Sequence, residues 1–321
     1  MLTAGPSLVV DLSRAGEAPD PLALAAARDA LAQLACASIG LRAAEPSPAG
    51  AALLDRLDVV VSSAAELEQV TAAVERTPLA ALALVQLLRH GEALDVHEAL
   101  IAESLVYSTL QSGPEFAAWL AARQAPRRRR ADPGPAVEVR RDGDRLELRL
   151  NRPAKRNAFS CEMRDALAEA LQLAVCDPSV QVVLCGAGPS FCSGGDLDEF
   201  GSFPDPATAH AIRSTRSPAR LLAACAERVR VEVHGACVGA GIELPAFARQ
   251  VVAREDAFFQ LPEVGMGLVP GAGGTVSIPR RVGRQRAAFL ALTGARLDVA
   301  TARRWGLVDD VRLEGQGTAS V

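Results

Sequence analysis

An α/β fold is predicted for residues 137–321 from three observations: short β-branched strands recur, helical stretches separate them, and two glycine-rich segments directly follow strands. Strands are read at Ala136–Arg140, Leu146–Leu150, Val180–Cys185, Val229–Val233 and Gln250–Ala253, where apolar and polar residues alternate or β-branched residues run together. Strand, helix, strand in succession implies a layered architecture with right-handed crossovers. Ligands in such folds gather in loops just past the strand ends, and Cys185–Gly195 and Gly235–Gly241 occupy that position.

Upstream the pattern is helical. Between Ala64 and Arg123 four helices are read: AELEQVTAAVER, PLAALALVQLLRH, VHEALIAESLVYSTLQ and PEFAAWLAAR. Pro78 and Pro114 fall at first-turn positions, and Gly91 and Gly113 where C-caps are expected. The segment APRRRRADPGP then combines prolines, glycine and four arginines, which excludes regular structure and favours solvent. The expected division is an N-terminal extension (1–56), a separate helical region (57–124), a Pro/Arg linker (125–136) and an α/β core (137–321). Within the extension, LVVDLS followed by RDALAQLA parallels LELRLN followed by RDALAEAL in the core, which hints at a degenerate repeat.

Composition narrows the partner class. A chain of 321 residues with 49% hydrophobic content can bury a sizeable core, and its net charge of −4 speaks against nucleic acid or an anionic membrane surface. A small-molecule partner is expected. Seven scattered cysteines (Cys36, Cys161, Cys176, Cys185, Cys192, Cys225, Cys237) form no C-x-x-C pair, and His90, His97, His210 and His234 show no ligand spacing. No metal, disulfide or separate cofactor is expected. The apolar run Leu79–Leu88 falls short of the ~20 residues a membrane span needs, and the first residues lack a basic leader, so a cytoplasmic protein is expected. Lys155 is the only lysine among 34 basic residues.

Three segments carry the candidate chemistry: FCSGGDL (Phe191–Leu197), HGACVGAGIEL (His234–Leu244) and LPEVGMGLVPGAGGT (Leu261–Thr275). Glycine after a strand lets the main chain approach a ligand, and a following helix start directs free N–H groups there. Two such loops can form an oxyanion hole for a developing enolate. Cys192 and Ser193 do not form a G-x-S-x-G elbow, GAGGT lacks a phosphate-loop lysine, and no G-x-G-x-x-G follows a strand. Covalent catalysis, nucleotide hydrolysis and NAD binding drop out. Taken singly, Glu243 reads as a solvated helix residue, Glu263 as a loop salt bridge and Asp196 as an N-cap or Asx turn.

Taken together and in order, LNRPAKRNAF, FCSGGDL, HGACVGAGIEL, FQLPEVGMGLVPGAGGT, LTG and WGLVDDV resemble the crotonase (enoyl-CoA hydratase/isomerase) superfamily over about 175 residues. The resemblance implies the crotonase ββα spiral and a coenzyme A thioester as substrate. It implies that the backbone N–H groups of Gly195 and Ala240 hold the thioester carbonyl. The family usually has glycine at the latter position, so Ala240 is tolerable only without a positive φ. It also makes Glu243 and Glu263 the acid–base pair, Glu243 towards water and Glu263 towards Cα. By the same resemblance Lys155, Arg156, Ala158, Ser193, Asp196, Leu197, Gly239 and Gly271 serve substrate and coenzyme A binding. Val264 to Val269 would line the acyl pocket, and Gly271 would begin a helix supporting the catalytic water. Both glutamates together favour hydration of a 2-enoyl-CoA; double-bond isomerisation and a non-catalytic acyl-CoA-binding subunit are the alternatives. A homo-oligomer, trimer or hexamer, is implied.

One departure stands out. Members of the superfamily continue past the GLVDDV-like segment into helices that cover the acyl site, whereas here ten residues follow Val311. The run from Leu57 to Arg123 resembles that tail instead, which implies a permuted order. Its family lysine falls at Ala122, so Arg123 or the Arg127–Arg130 run is the expected substitute at a coenzyme A phosphate.

Overall fold

The computed structural model describes residues 5–13, 20–42, 44–123, 133–203 and 205–312. The chain starts with a strand–helix–strand unit, β1 (Ser7–Asp11), α1 (Pro21–Ala32) and β2 (Ala37–Leu41), followed by α2 (Pro48–Leu53) and β3 (Val59–Val61). These three strands form a parallel sheet in the order β1-β2-β3. The extension is therefore a small α/β layer. RDALAQLA spans the end of α1 and RDALAEAL lies in the corresponding core helix, each crossing between parallel strands.

Four helices follow as the sequence predicts: α3 (Ala64–Arg76), α4 (Pro78–Gly91), α5 (Val96–Gln111) and α6 (Pro114–Ala122). Pro78 and Pro114 open α4 and α6, where a missing N–H costs no hydrogen bond. Asp95 and Glu98 close a reciprocal capping box at the start of α5. Gly91 is the last residue of α4, whose C-cap is Glu92, and Gly113 follows Ser112, the C-cap of α5, and is the N-cap of α6, so neither glycine is itself the expected C-cap. Most of the expected linker, residues 124–132 with the Arg127–Arg130 run, lies outside the described residues.

Past the linker come β4 (Val137–Asp142), β5 (Arg145–Leu150), α7 (Cys161–Cys176) and β6 (Gln181–Gly186). Then follow α8 (Pro206–Thr215), α9 (Pro218–Ala224), β7 (Val229–Val233), β8 (Ala236–Val238), α10 (Ala240–Glu243), β9 (Gln250–Arg254) and β10 (Phe258–Gln260). The described chain ends with α11 (Gly274–Val282), α12 (Arg284–Thr293), β11 (Leu297–Asp298), α13 (Val299–Trp305) and β12 (Asp310–Arg312). A six-stranded sheet runs β12-β9-β7-β6-β5-β4, parallel except for β4, and a second sheet runs β11-β10-β8. All five strands read from sequence are present within two residues of their expected ends.

The helical region is separate in sequence but not in packing. Val70, Val74, Leu84, Val85 and Phe116 belong to the same hydrophobic core as Leu148, Val231, Ile242 and Leu290. Polar anchors add to this contact. Asp58, 1% exposed, receives Arg89 at 2.6 Å and Arg284 at 3.1 Å, tying the first residues of the helical region to α12. Among the described residues no single helix is long and apolar enough to cross a membrane.

Candidate active site

The two glycine loops start side by side because their strands pair. Phe191 and Cys192 donate their N–H groups to His234 and Ala236 carbonyls at 2.8 and 3.1 Å, and Val238 donates back to Cys192 at 3.0 Å. Gly194 (φ +91) and Gly239 (φ +51) then take backbone angles that a side chain disfavours. These turns bring Gly195 and Ala240 to one cavity of about 510 Å³. Among the described residues neither N–H is donated to a protein oxygen. Ala240 opens α10 without a positive φ, which meets the condition its side chain imposes.

Asn157, fully buried, braces the first loop: its side chain accepts from Arg152 N at 2.7 Å and donates to the Ala187 and Ser190 carbonyls at 2.8 and 2.9 Å. Arg156 and Asn157 hold left-handed angles, φ +53 and +54, in the turn carrying Lys155 and Ala158.

Both glutamates face the cavity. Gly239 lies between them: a Cβ there would be 2.4 Å from Glu263 Oε1 and 3.6 Å from Glu243 Oε1, so those oxygens are no further apart than the two distances combined. Only glycine fits at 239 without displacing a carboxylate. Glu243 Oε2 accepts from Ala272 N at 2.7 Å and Gly274 N at 2.9 Å, which fixes its carboxylate at the N-terminal end of α11. Glu263 Oε2 is buried with no partner. Burial first, then the neighbouring Glu263 and Glu103, pushes the Glu243 carboxyl well above its ordinary range. Burial likewise pushes Glu263 up to about 8. Carboxyls that hold protons near neutral pH can both give and take them.

Sequence reasoning missed two residues here, both on α5. Glu103, 2% exposed, accepts from Gly273 N at 2.7 Å, Thr275 N at 2.9 Å and Thr275 Oγ1 at 2.6 Å. Tyr107 packs its ring against Gly271 and lies beneath the Arg213 guanidinium, 4.7 Å from the ring centroid. The available signal was register: Ala99, Glu103 and Leu110 follow helical spacing on one buried face, which makes a carboxylate among them anomalous.

Two expectations fail. Gly271 does not begin a helix; α11 starts at Gly274, because Gly273 takes φ +104 as its N-cap. Val264–Val269 does not line the cavity: Val264, Leu268 and Val269 are core residues, and Gly267 lies against the start of α6. The cavity wall comes instead from α5, α8 and α9, through Leu100, Ile101, His210, Arg213 and Pro218.

Of the remaining sequence candidates Asp196 lines the cavity, and Lys155 and Ser193 bond to one another or to Asp196 beside it. Lys155 Nζ pairs with Asp196 at 2.7 Å and Asp198 at 3.0 Å, and Arg123 reaches Asp198 at 3.4 Å as well as the Leu197 carbonyl. Two of the cations expected near phosphate, Lys155 and Arg123, thus share one carboxylate. Asp196 also accepts from Asp198 N at 3.1 Å, so it acts as an N-cap and an ion-pair partner. Ser193 Oγ donates to the Lys155 carbonyl at 3.3 Å, and the buried Cys192 thiol is pushed up to about 12, which leaves neither as a nucleophile. Phe200 covers Gly195 and packs with Phe116 and Trp119 of α6. Among the described residues no cluster suits a metal ion.

Paired loops with free N–H groups, facing two carboxylates in a ββα-type core, define a protein of crotonase class. A family model described as Enoyl-CoA hydratase/isomerase matches residues 145–316, more than half of the chain, and the chain belongs to that family. It is 39% identical over 169 residues to the 2,3-dehydroadipyl-CoA hydratase of Escherichia coli, covering 52% of this chain and 65% of that protein. It is 36% identical over 168 residues to the 1,2-epoxyphenylacetyl-CoA isomerase of the same organism, covering 51% and 64%. The chain thus spans just under two thirds of the length of these relatives. An enoyl-CoA hydratase structure from Thermoplasma volcanium superposes with a TM-score of 0.52 at 36% identity, over 56% of this chain and 72% of that one.

Proposed function

We propose that this protein hydrates a 2-enoyl-CoA thioester to the 3-hydroxyacyl-CoA, or runs the reverse dehydration. The carrying observation is the unlike treatment of two neighbouring glutamates, one buried and one half-buried with a buried oxygen. Glu243 receives two backbone N–H groups, which partly offset the proton retention that burial and its neighbours impose, whereas Glu263 keeps an unpartnered oxygen with no such offset there. One proton between two carboxyls is the state that addition of water requires.

In this reading the Gly195 and Ala240 N–H groups hold the thioester oxygen as Cβ becomes electrophilic. Glu243 takes a proton from water as its oxygen bonds to Cβ, and Glu263 gives its proton to Cα as the enolate collapses. The proton gained by Glu243 and lost by Glu263 is then re-equilibrated through solvent. Each N–H donor is worth about 3 kcal/mol of barrier. Glu263→Gln is expected to remove nearly all turnover of crotonyl-CoA; full activity in that variant would eliminate the assignment.

Isomerisation is the second reading, favoured by the same orphan oxygen: one carboxyl with a free face is enough to shuttle a proton between carbons. In that case Glu243→Ala leaves turnover largely intact.

The same reading takes residues 57–123 as the segment that closes the acyl site, placed ahead of the core in this chain. Support comes from Glu103, Tyr107 and Phe116, which reach the site or its loops from α5 and α6. A homo-oligomer remains the expected assembly, checked by light scattering of the purified protein.

A further inference from the structure

We propose that Glu103 is a positioning residue of this site, clamping the Gly271–Thr275 turn from outside the family-matched region so that the Glu243 carboxylate keeps its orientation. Four successive N–H groups leave this turn, and two carboxylates divide them alternately. Glu243 takes Ala272 and Gly274; Glu103 takes Gly273 and Thr275, with the Thr275 hydroxyl. The alternation matters because consecutive N–H groups at a helix start diverge, so one carboxylate cannot hold all four. With Glu103 gone, buried Gly273 and Thr275 N–H groups lose their acceptors. The turn would then relax towards other oxygens, among them Glu243 Oε2, which already accepts from the neighbouring Ala272 and Gly274.

The surroundings make this more than a structural cap. Glu103 lines the same cavity as both proposed catalytic glutamates. The groups facing it from every packed element are Arg213 on α8, Glu243 on α10, Glu263 after β10, Thr275 on α11 and Tyr107 on its own helix, with His210 one hydrogen bond away through Ser104. Arg213 is the cation in this set; its guanidinium bonds Ser104, Ser108 and Gln111, and among the described residues it pairs with no carboxylate. The negative charge of Glu103 acts on both other glutamates in the direction of proton retention. Burial holds Glu103 itself at about 7, against the pull of Thr275, Gly273 and Arg213.

The inference concerns the site named above and rests on the hydratase reading only where turnover is the readout. The test uses the full chain with Glu103→Gln and Glu103→Ala. Glutamine keeps the size but offers one acceptor oxygen, so it can serve Thr275 or Gly273 and not both. With crotonyl-CoA the expected result for Glu103→Gln is a kcat lowered about 10- to 100-fold at nearly unchanged KM. The limbs of its pH–kcat/KM profile should also move to lower pH, since a like charge has been removed from the pair. A cap that only supports the fold would lower thermal stability and leave those limbs in place. Wild-type kcat with a superimposable profile overturns the proposal, as does a stability loss without a shift.

Infrared difference titration of the protonated carboxyl band gives a readout free of turnover. In Glu103→Gln the remaining buried carboxyls should titrate at lower pH than in the wild type; an unchanged midpoint overturns the proposal. If the wild type hydrates no enoyl-CoA, the hydratase reading fails while this titration still decides the role of Glu103. Should Glu103→Ala fail to fold, the isosteric glutamine variant carries the test.

Discussion

Residues 145–312 and residues 57–123 contribute to one site in different ways. The first region carries the two candidate N–H donors and the two glutamates on loops and on the short helix α10, all following its strands. The second lacks such loops; it supplies one carboxylate that holds a turn, one ring against Gly271 and an aromatic cluster over Phe200. The candidate N–H donors sit in a glycine-rich loop and at a helix start, where backbone N–H groups can stay unpaired and face a ligand. Groups that position them come from a helix, where side chains project at fixed spacing from a rigid axis. The difference teaches that a family match limited to the first region describes the chemistry and leaves out part of what shapes it.

The largest expected effects keep chemistry in the first region. Glu263→Gln and Glu243→Gln should each lower kcat by roughly 10³-fold with KM little changed, measured with crotonyl-CoA. If Glu103→Ala equals them, the distinction between reacting and positioning carboxylates breaks.

The contact between the regions is tested next. Asp58 holds Arg89 and Arg284 and accepts from Ser38 N and Oγ at 2.8 Å, all in a nearly dry setting. Asp58→Ala leaves two guanidinium groups short of their shared anion, and such a loss costs about 3–5 kcal/mol. Denaturant unfolding should show one transition in the wild type. Two separated transitions would mean that the regions do not share a single core.

A smaller effect is the pH dependence of stability. Glu103 at about 7 and Glu263 at about 8 hold protons in the folded state that an ordinary carboxyl, near 4.5, has lost. The folded state therefore binds more protons between these values, so stability is greatest below about 4.5 on this account and falls as pH rises towards 8. In Glu263→Gln the Tm should fall less steeply across that window. A slope equal to the wild type would show that burial does not raise this carboxyl.

Much of this was legible in advance, for reasons that differ by element. The strands and the four helices of 64–123 were readable because period, proline placement and turn residues agreed locally. Gly195, Ala240, Glu243 and Glu263 were readable because they sit in ordered motifs, and the structure brings all four to one cavity. Glu103 was marked only by its register on an apolar face, since a lone glutamate in a helix otherwise reads as solvated until its partners, some 170 residues away, are in place. The acyl wall failed for a related reason. Val264–Val269 is apolar enough to line a pocket, but α6 and the core cover it, and sequence pattern cannot tell burial in a core from exposure to a cavity.

The smallest expected effect lies at the mouth, where the two regions meet through Asp198. Lys155, Asp198 and Arg123 are 34%, 36% and 21% exposed, so their ion pairs contribute at most about 1 kcal/mol to stability. Two roles can be separated there. If Lys155 turns to a coenzyme A phosphate, Lys155→Ala should raise KM for crotonyl-CoA by about 5-fold, with the wild-type KM rising with salt. The corresponding N-acetylcysteamine thioester, which lacks the phosphates, should then show no change. If Lys155 instead holds the first oxyanion loop through Asp196, both thioesters should lose kcat equally, because the Gly195 N–H follows Asp196 whatever the carrier. Arg123→Ala extends the test across the regions: a KM effect confined to crotonyl-CoA would place a cation from the helical region at the same phosphates.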